Sequence, residues 1–228
     1  MKILAIDTST SIASVGLTAS GRFCVQAEAE KSCAEILFEM IDSILKIARI
    51  ECKDIDLFAC MQGPGSWTGL RISFSAVQGF ALALNKPFAA IPTLDCIAFS
   101  YSSFHGIVIP ALDAKQQRFF CAIYQNGVPL SGYMDASPEI IAKLIQEQRD
   151  ILLTGAGASA LFQKLRELCP QHNIMLDASF HRGRALDIIN YIEKNPRVSE
   201  KPAEKIQLIY LRKSDAEEKN PNVSTKDL

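Results

Sequence analysis

Short apolar segments separated by polar turns predict a mixed α/β fold in the first part of the chain. Lys2 to Ile6 forms an apolar run that ends at Asp7, which is typical of a buried strand. Ser11 to Ala19 and Phe23 to Ala29 alternate loosely, and Ala19-Ser20-Gly21 supplies a hairpin turn between them. The pattern predicts antiparallel strands, with a loop of small hydroxyl residues following the first strand.

Helical spacing of apolar residues replaces this alternation further along the chain. A helix is predicted over 33–49, with a capping box formed by Ser32 and Glu35. A second helix is predicted over 68–84 and ends at Asn85. Two short buried strands are predicted beside these helices, at Leu57 to Met61 and Phe88 to Ile91.

The same order of elements returns in the second half of the chain. Ile109 to Asp113 resembles Ile3 to Asp7, and the strand and G-x-G turn over 151–157 repeat those over 57–65. Two such matches in one order predict two ribonuclease-H-like lobes of the actin, Hsp70 and sugar-kinase type, with a cleft between them. The predicted division is 1–102 for the N-terminal lobe, 103–212 for the C-terminal lobe and 213–228 for a disordered tail.

Composition narrows the class of protein. The chain has 228 residues, 48% of them hydrophobic, and a formal net charge of −1. A charge this close to balance argues against tight nucleic-acid binding by the chain alone, because neutralising phosphates supplies most of that affinity. No signal peptide and no apolar run of about 18–20 residues is found, so a soluble, cytoplasmic protein without a membrane partner is expected. The seven cysteines include no C-x-x-C pair, which favours reduced thiols.

The loop after the first strand is a candidate phosphate site. A carboxylate followed by hydroxyl groups and free N–H groups can hold a hydrated Mg²⁺ and cradle phosphate, which predicts nucleotide binding by Asp7, Thr8 and Ser9. The alternative is an ordinary turn whose side chains bond their own backbone. After Asp113, the matching loop carries bulky residues such as Lys115, so the second half-site is degenerate. This degeneracy counts against efficient phosphoryl transfer.

A glycine-rich turn between a strand and a helix is the most distinctive run in the chain. It reads Gly63-Pro64-Gly65-Ser66-Trp67-Thr68-Gly69-Leu70-Arg71. Free N–H groups at such a helix start can bind an anion, although the run is not a P-loop. A tight turn capped by Ser66 or Thr68 is the equally weighted alternative. Trp67 is expected in the core or as an interface anchor.

Groups for catalysis or metal binding are not recognised in the sequence. His105, His172 and His181 have no partner at helical spacing, and H-E-x-x-H is absent. Ser66 does not lie in a G-x-S-x-G elbow. We therefore predict no catalytic residue, no metal site and no intrinsic cofactor.

The apolar face of the helix over 33–49 is wider than one sheet requires. Its apolar residues spread over about 200°, whereas packing on a sheet needs a stripe of about 100°. The surplus is explained either by a neighbouring helix of the same chain or by a protein interface. Small residues on the helix over 68–84 would allow close contact, so the two helices could form half of an intermolecular four-helix bundle. The predicted interface comprises Leu37, Phe38, Met40, Ile41, Ile44, Leu45, Ala48, Ser73, Ala76 and Gly79.

Four short runs resemble the TsaB (YeaZ) family of bacterial tRNA-modification subunits. They are Ile3 to Thr10, Gly63 to Arg71, Leu112-Asp113-Ala114 and Tyr210-Leu211-Arg212. The run G-P-G-S-[FW]-T-G-[LV]-R is highly specific, and its family-signature residues here are Gly63, Gly65, Ser66, Trp67, Thr68, Gly69 and Arg71. The chain departs from the family pattern at Cys33, at Lys115 and Arg118, and at Leu208-Ile209, where a proline is common.

The resemblance implies a non-catalytic relative of the threonylcarbamoyl transferase subunit TsaD. Family members pair with TsaD through N-terminal helices, and the ATPase TsaE joins them. The complex modifies adenosine 37 of tRNAs that read codons beginning with A, so tRNA is expected to bind through the complex, where ATP or ADP is also possible. The metal motif H-x-x-x-H of TsaD is absent here, and peptidase activity is therefore not expected.

Two other hypotheses remain open at this stage. An independent ATP-dependent kinase acting on a small molecule would use the Asp7 loop and would turn over ATP by itself. A homodimer of the isolated chain would compete with TsaD for the same apolar surface.

Overall fold

The computed structural model describes residues 1–28, 33–146, 150–179, 181–200 and 206–212. The predicted cap at Ser32 and the predicted disordered tail over 213–228 lie outside these described residues. None of the described helices is long and apolar enough to cross a bilayer.

The first sheet contains five strands in the order β3-β2-β1-β4-β5. They are β1 (Ile3–Asp7), β2 (Ile12–Thr18), β3 (Arg22–Glu28), β4 (Leu57–Gly63) and β5 (Phe88–Pro92). Strands β1 and β2 are antiparallel, with Ile6 opposite Val15, whereas β1 and β4 are parallel, with Ala5 opposite Ala59. Helices α1 (Cys33–Ala48) and α2 (Trp67–Leu84) connect its later strands, as the spacing predicts.

The second sheet repeats this order as β10-β7-β6-β11-β12. It contains β6 (Ile107–Asp113), β7 (Phe119–Cys121), β8 (Tyr124–Gln125), β9 (Val128–Pro129), β10 (Met134–Ala136), β11 (Asp150–Thr154) and β12 (Asn173–Leu176). Helices α4 (Pro138–Leu144) and α5 (Ala158–Leu168) take the places of α1 and α2. The internal repeat and the ribonuclease-H-like fold class are confirmed. The extra β8–β9 hairpin turns at Asn126 and Gly127, where positive φ angles suit a tight turn.

Two helices cross between the halves of the chain. Helix α3 (Thr93–Phe99) follows the first sheet but packs Leu94 and Ile97 against Val108 and Leu112 of β6. Helix α6 (Ala185–Lys194) follows the second sheet but packs on the first. The α6 residues buried there are Ala185, Ile188, Ile189 and Ile192. The lobe boundary near residue 102 stays a prediction. Each sheet is covered by a helix that lies on the far side of that boundary in the sequence.

Candidate functional site

The loop after β1 is buried and its polar atoms are bound by the chain itself. The Asp7 carboxylate accepts hydrogen bonds from the Ser9 backbone N–H at 2.9 Å, the Ser9 Oγ at 2.6 Å and the Arg184 backbone N–H at 3.0 Å. The Thr8 Oγ1 donates to the Gly69 carbonyl at 2.6 Å. Burial raises the pKa of Asp7, and this effect exceeds the lowering produced by its hydrogen bonds from Ser9 and Arg184.

The prediction that Asp7, Thr8 and Ser9 bind nucleotide stays a prediction, and these contacts count against it. All three residues are buried, so a phosphate group could reach them only by displacing contacts within the chain. The alternative, a turn bonded to its own backbone, describes Asp7 and Ser9 well.

The glycine-rich turn lies directly against this loop. A Cβ added to Gly69 would lie 1.8 Å from the Thr8 carbonyl oxygen, and one added to Gly65 would lie 2.8 Å from the Ser9 carbonyl oxygen. The Ser66 N–H donates to the Ser9 carbonyl at 2.8 Å, and the Ser66 Oγ accepts from the Gly69 N–H at 3.3 Å. The N–H groups at 66 and 69 are thus already engaged, which favours the tight capped turn over an anion site.

Residues 206–212, here called the C-terminal strap, lie along the other side of the turn. The Ile209 N–H donates to the Gln62 carbonyl at 2.8 Å. A Cβ on Gly63, whose φ is +105°, would lie 2.4 Å from the Ile209 carbonyl oxygen. Glycine at position 63 therefore permits both the backbone conformation and the close approach of the strap.

Trp67 and Arg71 fix the strap through its tyrosine. The rings of Trp67 and Tyr210 have centroids 3.8 Å apart, and the Arg71 guanidinium lies 4.4 Å from the Trp67 ring centroid. The Arg71 Nε donates to the Tyr210 hydroxyl at 3.2 Å. Trp67 is therefore an intramolecular anchor for the strap, whereas the neighbouring Thr68 is exposed.

The strap continues to the loop after β6. The Arg212 guanidinium donates to the Ala114 carbonyl at 3.4 Å and to the Gln116 Oε1 at 3.0 Å. Within that loop Lys115 pairs with Asp113 at 3.2 Å. Arg118 pairs with Asp135 of β10 at 2.7 Å, so the two residues of this loop that depart from the family pattern both form ion pairs within the chain.

Arg184 joins the two halves of the chain from the start of α6. Its residue surface is 2% exposed, and its guanidinium donates to Asp187 at 3.2 Å and to the Thr154 Oγ1 at 3.3 Å. Thr154 in turn donates to Asp177 at 2.8 Å. Burial alone would raise the pKa of Asp177, but hydrogen bonds from Tyr101, Ser179 and Thr154 lower it overall.

Sequence reasoning missed Arg184, because 177 positions separate it from Asp7. The small residues on either side of it, Gly183 and Ala185, were the available signal. A Cβ on Gly183 would lie 2.3 Å from the Ser14 Cβ, so this turn must approach β2 closely.

Burial in the chain's own core corrects most of the predicted helical interface. The side chains concerned pack between the first sheet, α1 and α2, or bond within their own helix. They are Leu37, Met40, Ile41, Ile44, Ala48 and Ser73. The wide apolar arc of α1 is explained largely by a neighbouring helix of the same chain, because α2 covers part of it.

The rest of this helical face remains exposed or half-buried. Phe38 and Ile47 of α1 are 60% and 63% exposed, and Leu82 of α2 is 87% exposed. Leu45 and Ala76 are half-buried, and Gly79 is exposed with nothing within 4 Å of an added Cβ. The Phe38 ring lies 6.2 Å from the Phe80 ring of α2, which joins the two helices. We call Phe38, Gly79 and Leu82 the exposed helix face; Ile47 lies nine residues from Phe38, about 180° around α1, and is not part of it.

Comparison with known proteins gives the family. The sequence model described as "TsaD: tRNA N6-adenosine threonylcarbamoyltransferase" matches residues 24–193. The TsaB protein of Escherichia coli K12 is 32% identical over 155 residues, which are 64% of this chain and 67% of that protein. The chain belongs to the TsaB (YeaZ) family.

Other TsaB-family proteins cover more of the chain. The TsaB protein of Bacillus subtilis 168 is 26% identical over 82% of this chain and 85% of its own length. A Pseudomonas aeruginosa crystal structure, described as an uncharacterized protein similar to peptidase YEAZ, is 28% identical with a TM-score of 0.75. It covers 92% of this chain and 99% of its own. An Arthrobacter polyphosphate/ATP-glucomannokinase, at 10% identity and a TM-score of 0.55, shares the fold alone.

The sequence signatures of the TsaB family converge in space. The turn over 63–71 contacts the loop after β1 on one side and the strap on the other, and the strap reaches the loop after β6. Their shared geometry is a tight junction between loops of the two sheets. No group of three or more His, Cys, Asp or Glu side chains that could hold a metal ion is found in the part of the chain that the structure describes.

Proposed function

We propose that this chain is a non-catalytic scaffold and activating subunit of a bacterial tRNA-modifying complex. The complex would install threonylcarbamoyl on adenosine 37 of tRNAs that read ANN codons. Membership of the TsaB family supports this assignment, because relatives are named tRNA threonylcarbamoyladenosine biosynthesis proteins. In this proposal the chain binds and stabilises TsaD and helps to recruit TsaE, while tRNA and any ATP or ADP bind to the assembled complex.

The filled loop after β1 is the observation that carries the scaffold proposal. Asp7 is bound by Ser9 and Arg184, and Gly69 lies too close to Thr8 to leave room for a ligand. An independent kinase would need this loop open toward the cleft, so the geometry favours the scaffold over the kinase. ATP turnover by the isolated chain that disappears in Asp7→Ala would reverse this preference.

The exposed helix face is the proposed contact for TsaD. Its large apolar side chains, Phe38 and Leu82, are left exposed to water by the chain's own fold. Burying such groups against a partner is favourable by about 25 cal/mol for each Å² of apolar surface.

Co-purification with TsaD tests this face. Leu82→Asp and Phe38→Asp place a charge on exposed side chains, so the fold should survive while the complex is lost. Leu168→Asp is the matched control, since Leu168 of α5 is 44% exposed on the other sheet's helix. Ile41→Asp is unsuitable, because Ile41 is buried and a charge there would unfold the chain.

The proposed interface would be contradicted if Phe38→Asp and Leu82→Asp both still bound TsaD. It would also be contradicted if Leu168→Asp lost TsaD to the same extent. Reconstituted tRNA modification gives the functional readout: the reaction should require this subunit and should fail with Leu82→Asp. A homodimer of the isolated chain would use the same face, so sedimentation should show the same variant as a monomer at all concentrations.

A further inference from the structure

A small cavity lies away from the signature junction, between α3, the β8–β9 hairpin and α6. Its volume is about 210 Å³, and its lining includes Asp95, Phe99, Tyr124, Tyr191 and Asn195. The lining contains one carboxylate and three aromatic rings but no lysine, arginine or histidine. The one charged side chain of the lining is therefore negative, and aromatic rings form part of the walls.

Asp95 lacks a cationic partner in the described ranges. Its Oδ1 accepts a hydrogen bond from the Tyr124 hydroxyl at 2.5 Å, and it also accepts one from Tyr133. No ion pair joins it to any lysine, arginine or histidine among the residues that the structure describes. Neutral phenols stabilise a carboxylate but do not cancel its charge, so a half-buried negative charge faces the cavity.

The aromatic walls add a second attraction for a cation. The Phe99 and Tyr191 rings lie 5.1 Å apart at 69° and both are half-buried, whereas Tyr124 is 1% exposed and offers the cavity little ring surface. Aromatic faces attract a weakly hydrated cation by about 0.5–2 kcal/mol. The amide nitrogen of Asn195 donates to the Tyr191 carbonyl at 2.9 Å, which holds that side chain at the cavity with its amide oxygen as an acceptor.

We propose that this cavity binds a small organic ammonium ion, with Asp95 as its counter-ion and the aromatic rings as its walls. A metal ion would find a single carboxylate and would gain little from the rings. A zwitterion or a phosphate would find no positive side chain in the lining. A primary amine of about four carbons suits both the volume and the charge.

Titration of the full chain with n-butylammonium chloride tests the proposal. Binding is monitored by isothermal titration calorimetry and by the NMR resonances of the tyrosines. Saturable binding in the millimolar range is expected, with 1-butanol, the uncharged analogue, failing to bind at equal concentration. Potassium chloride at the same ionic strength controls for screening.

Two variants with the same change in charge locate the site. Asp95→Asn keeps an acceptor for the Tyr124 hydroxyl but removes the charge, and should weaken butylammonium binding at least tenfold. Asp42→Asn, at an exposed carboxylate of α1, should leave binding unchanged. Phe99→Leu should weaken binding several-fold, and circular dichroism checks that every variant is folded.

No saturable binding, equal binding of 1-butanol, unchanged affinity in Asp95→Asn, or an equal loss in Asp42→Asn would each overturn the proposal. Each of these outcomes leaves the TsaD contact untouched, because the cavity and the exposed helix face lie on different elements.

Discussion

The loops after β1 and β6 occupy the same place in their two sheets, and in each the aspartate accepts a hydrogen bond from the backbone N–H two residues on, yet their burial and other contacts differ. The β1 loop is buried: its carboxylate, Asp7, is held by Ser9 and by the backbone of Arg184. The β6 loop is exposed: its carboxylate, Asp113, pairs with the exposed side chain of Lys115. Equivalent topology therefore fixes where a loop lies, while the residues packed on it decide whether it can bind a ligand.

The backbone of the two loops differs as well. Lys115, Gln116 and Gln117 all have positive φ angles, at 64°, 52° and 57°, although none is a glycine. Each such residue costs about 1–2 kcal/mol relative to a right-handed conformation. In the β1 loop no described residue has a positive φ. There, glycines of the facing turn allow its backbone to approach the loop closely.

Removing the charge of the Arg184 side chain, next to the buried loop, should lower stability the most. Arg184→Met leaves Asp187 and Asp177 with less compensation in a buried setting, so the free energy of unfolding should fall by about 3–5 kcal/mol. Arg118→Met, beside the exposed loop, should lower it by about 1 kcal/mol or less. Urea denaturation measures both, and equal effects would show that the two networks do not differ in burial.

Filling the contact between the turn and the β1 loop should have the next largest effect. In Gly69→Ala the new Cβ would lie 1.8 Å from the Thr8 carbonyl oxygen, and a loss of about 3 kcal/mol of stability is expected. Gly79→Ala, on the same helix with nothing within 4 Å, should raise stability by about 0.5–1 kcal/mol. A neutral result for Gly69→Ala would mean that the loop yields easily.

The pH dependence of stability should separate the two carboxylates. Because the folded pKa of Asp7 is raised, its contribution is full below the unfolded value of about 4 and is lost as pH rises. The stability of the unaltered chain relative to Asp7→Asn should therefore fall as pH rises above about 4. The lowered pKa of Asp177 acts in the opposite direction at lower pH, so measurements stay above 4.

Asp113→Asn removes a carboxylate from the corresponding position of the exposed loop and serves as the control. A pH profile of Asp7→Asn parallel to that of the unaltered chain would contradict the burial argument.

The smallest effect is expected from relieving the exposed loop. Gln117→Gly removes the left-handed penalty but adds freedom to the unfolded chain, for a net gain of about 0.5 kcal/mol. Gln78→Gly, in the exposed interior of α2, should instead cost about 1 kcal/mol. Thermal unfolding measures the change in stability of both variants. A change of the same sign in both would contradict the argument that the positive φ of Gln117 is costly.

Elements with strong local signals could be predicted from the sequence. The bounds of α1 and α2, the cap at Ser66 and the repeat of strand order all follow from periodicity, turn residues and glycine position. These features depend on neighbours within a few residues, which a single sequence displays directly.

Features that depend on distant segments could not be predicted. The apolar arc of α1 shows which side chains avoid water but not whether α2 or another molecule covers them, so buried Ile41 and exposed Phe38 looked alike. The Asp7–Arg184 contact and the Trp67–Tyr210 stack join residues more than a hundred positions apart. The sequence motifs identified the family correctly, but the contacts between them could not be predicted.

Helix α6 imposes an order on how the molecule can be completed during synthesis. All five strands of the first sheet precede residue 93, but Ile188, Ile189 and Ile192 cover one of its faces. Since a ribosome delivers the chain from its amino end, that face stays exposed to water until α6 has emerged. The half that is made first is therefore the half that is finished last.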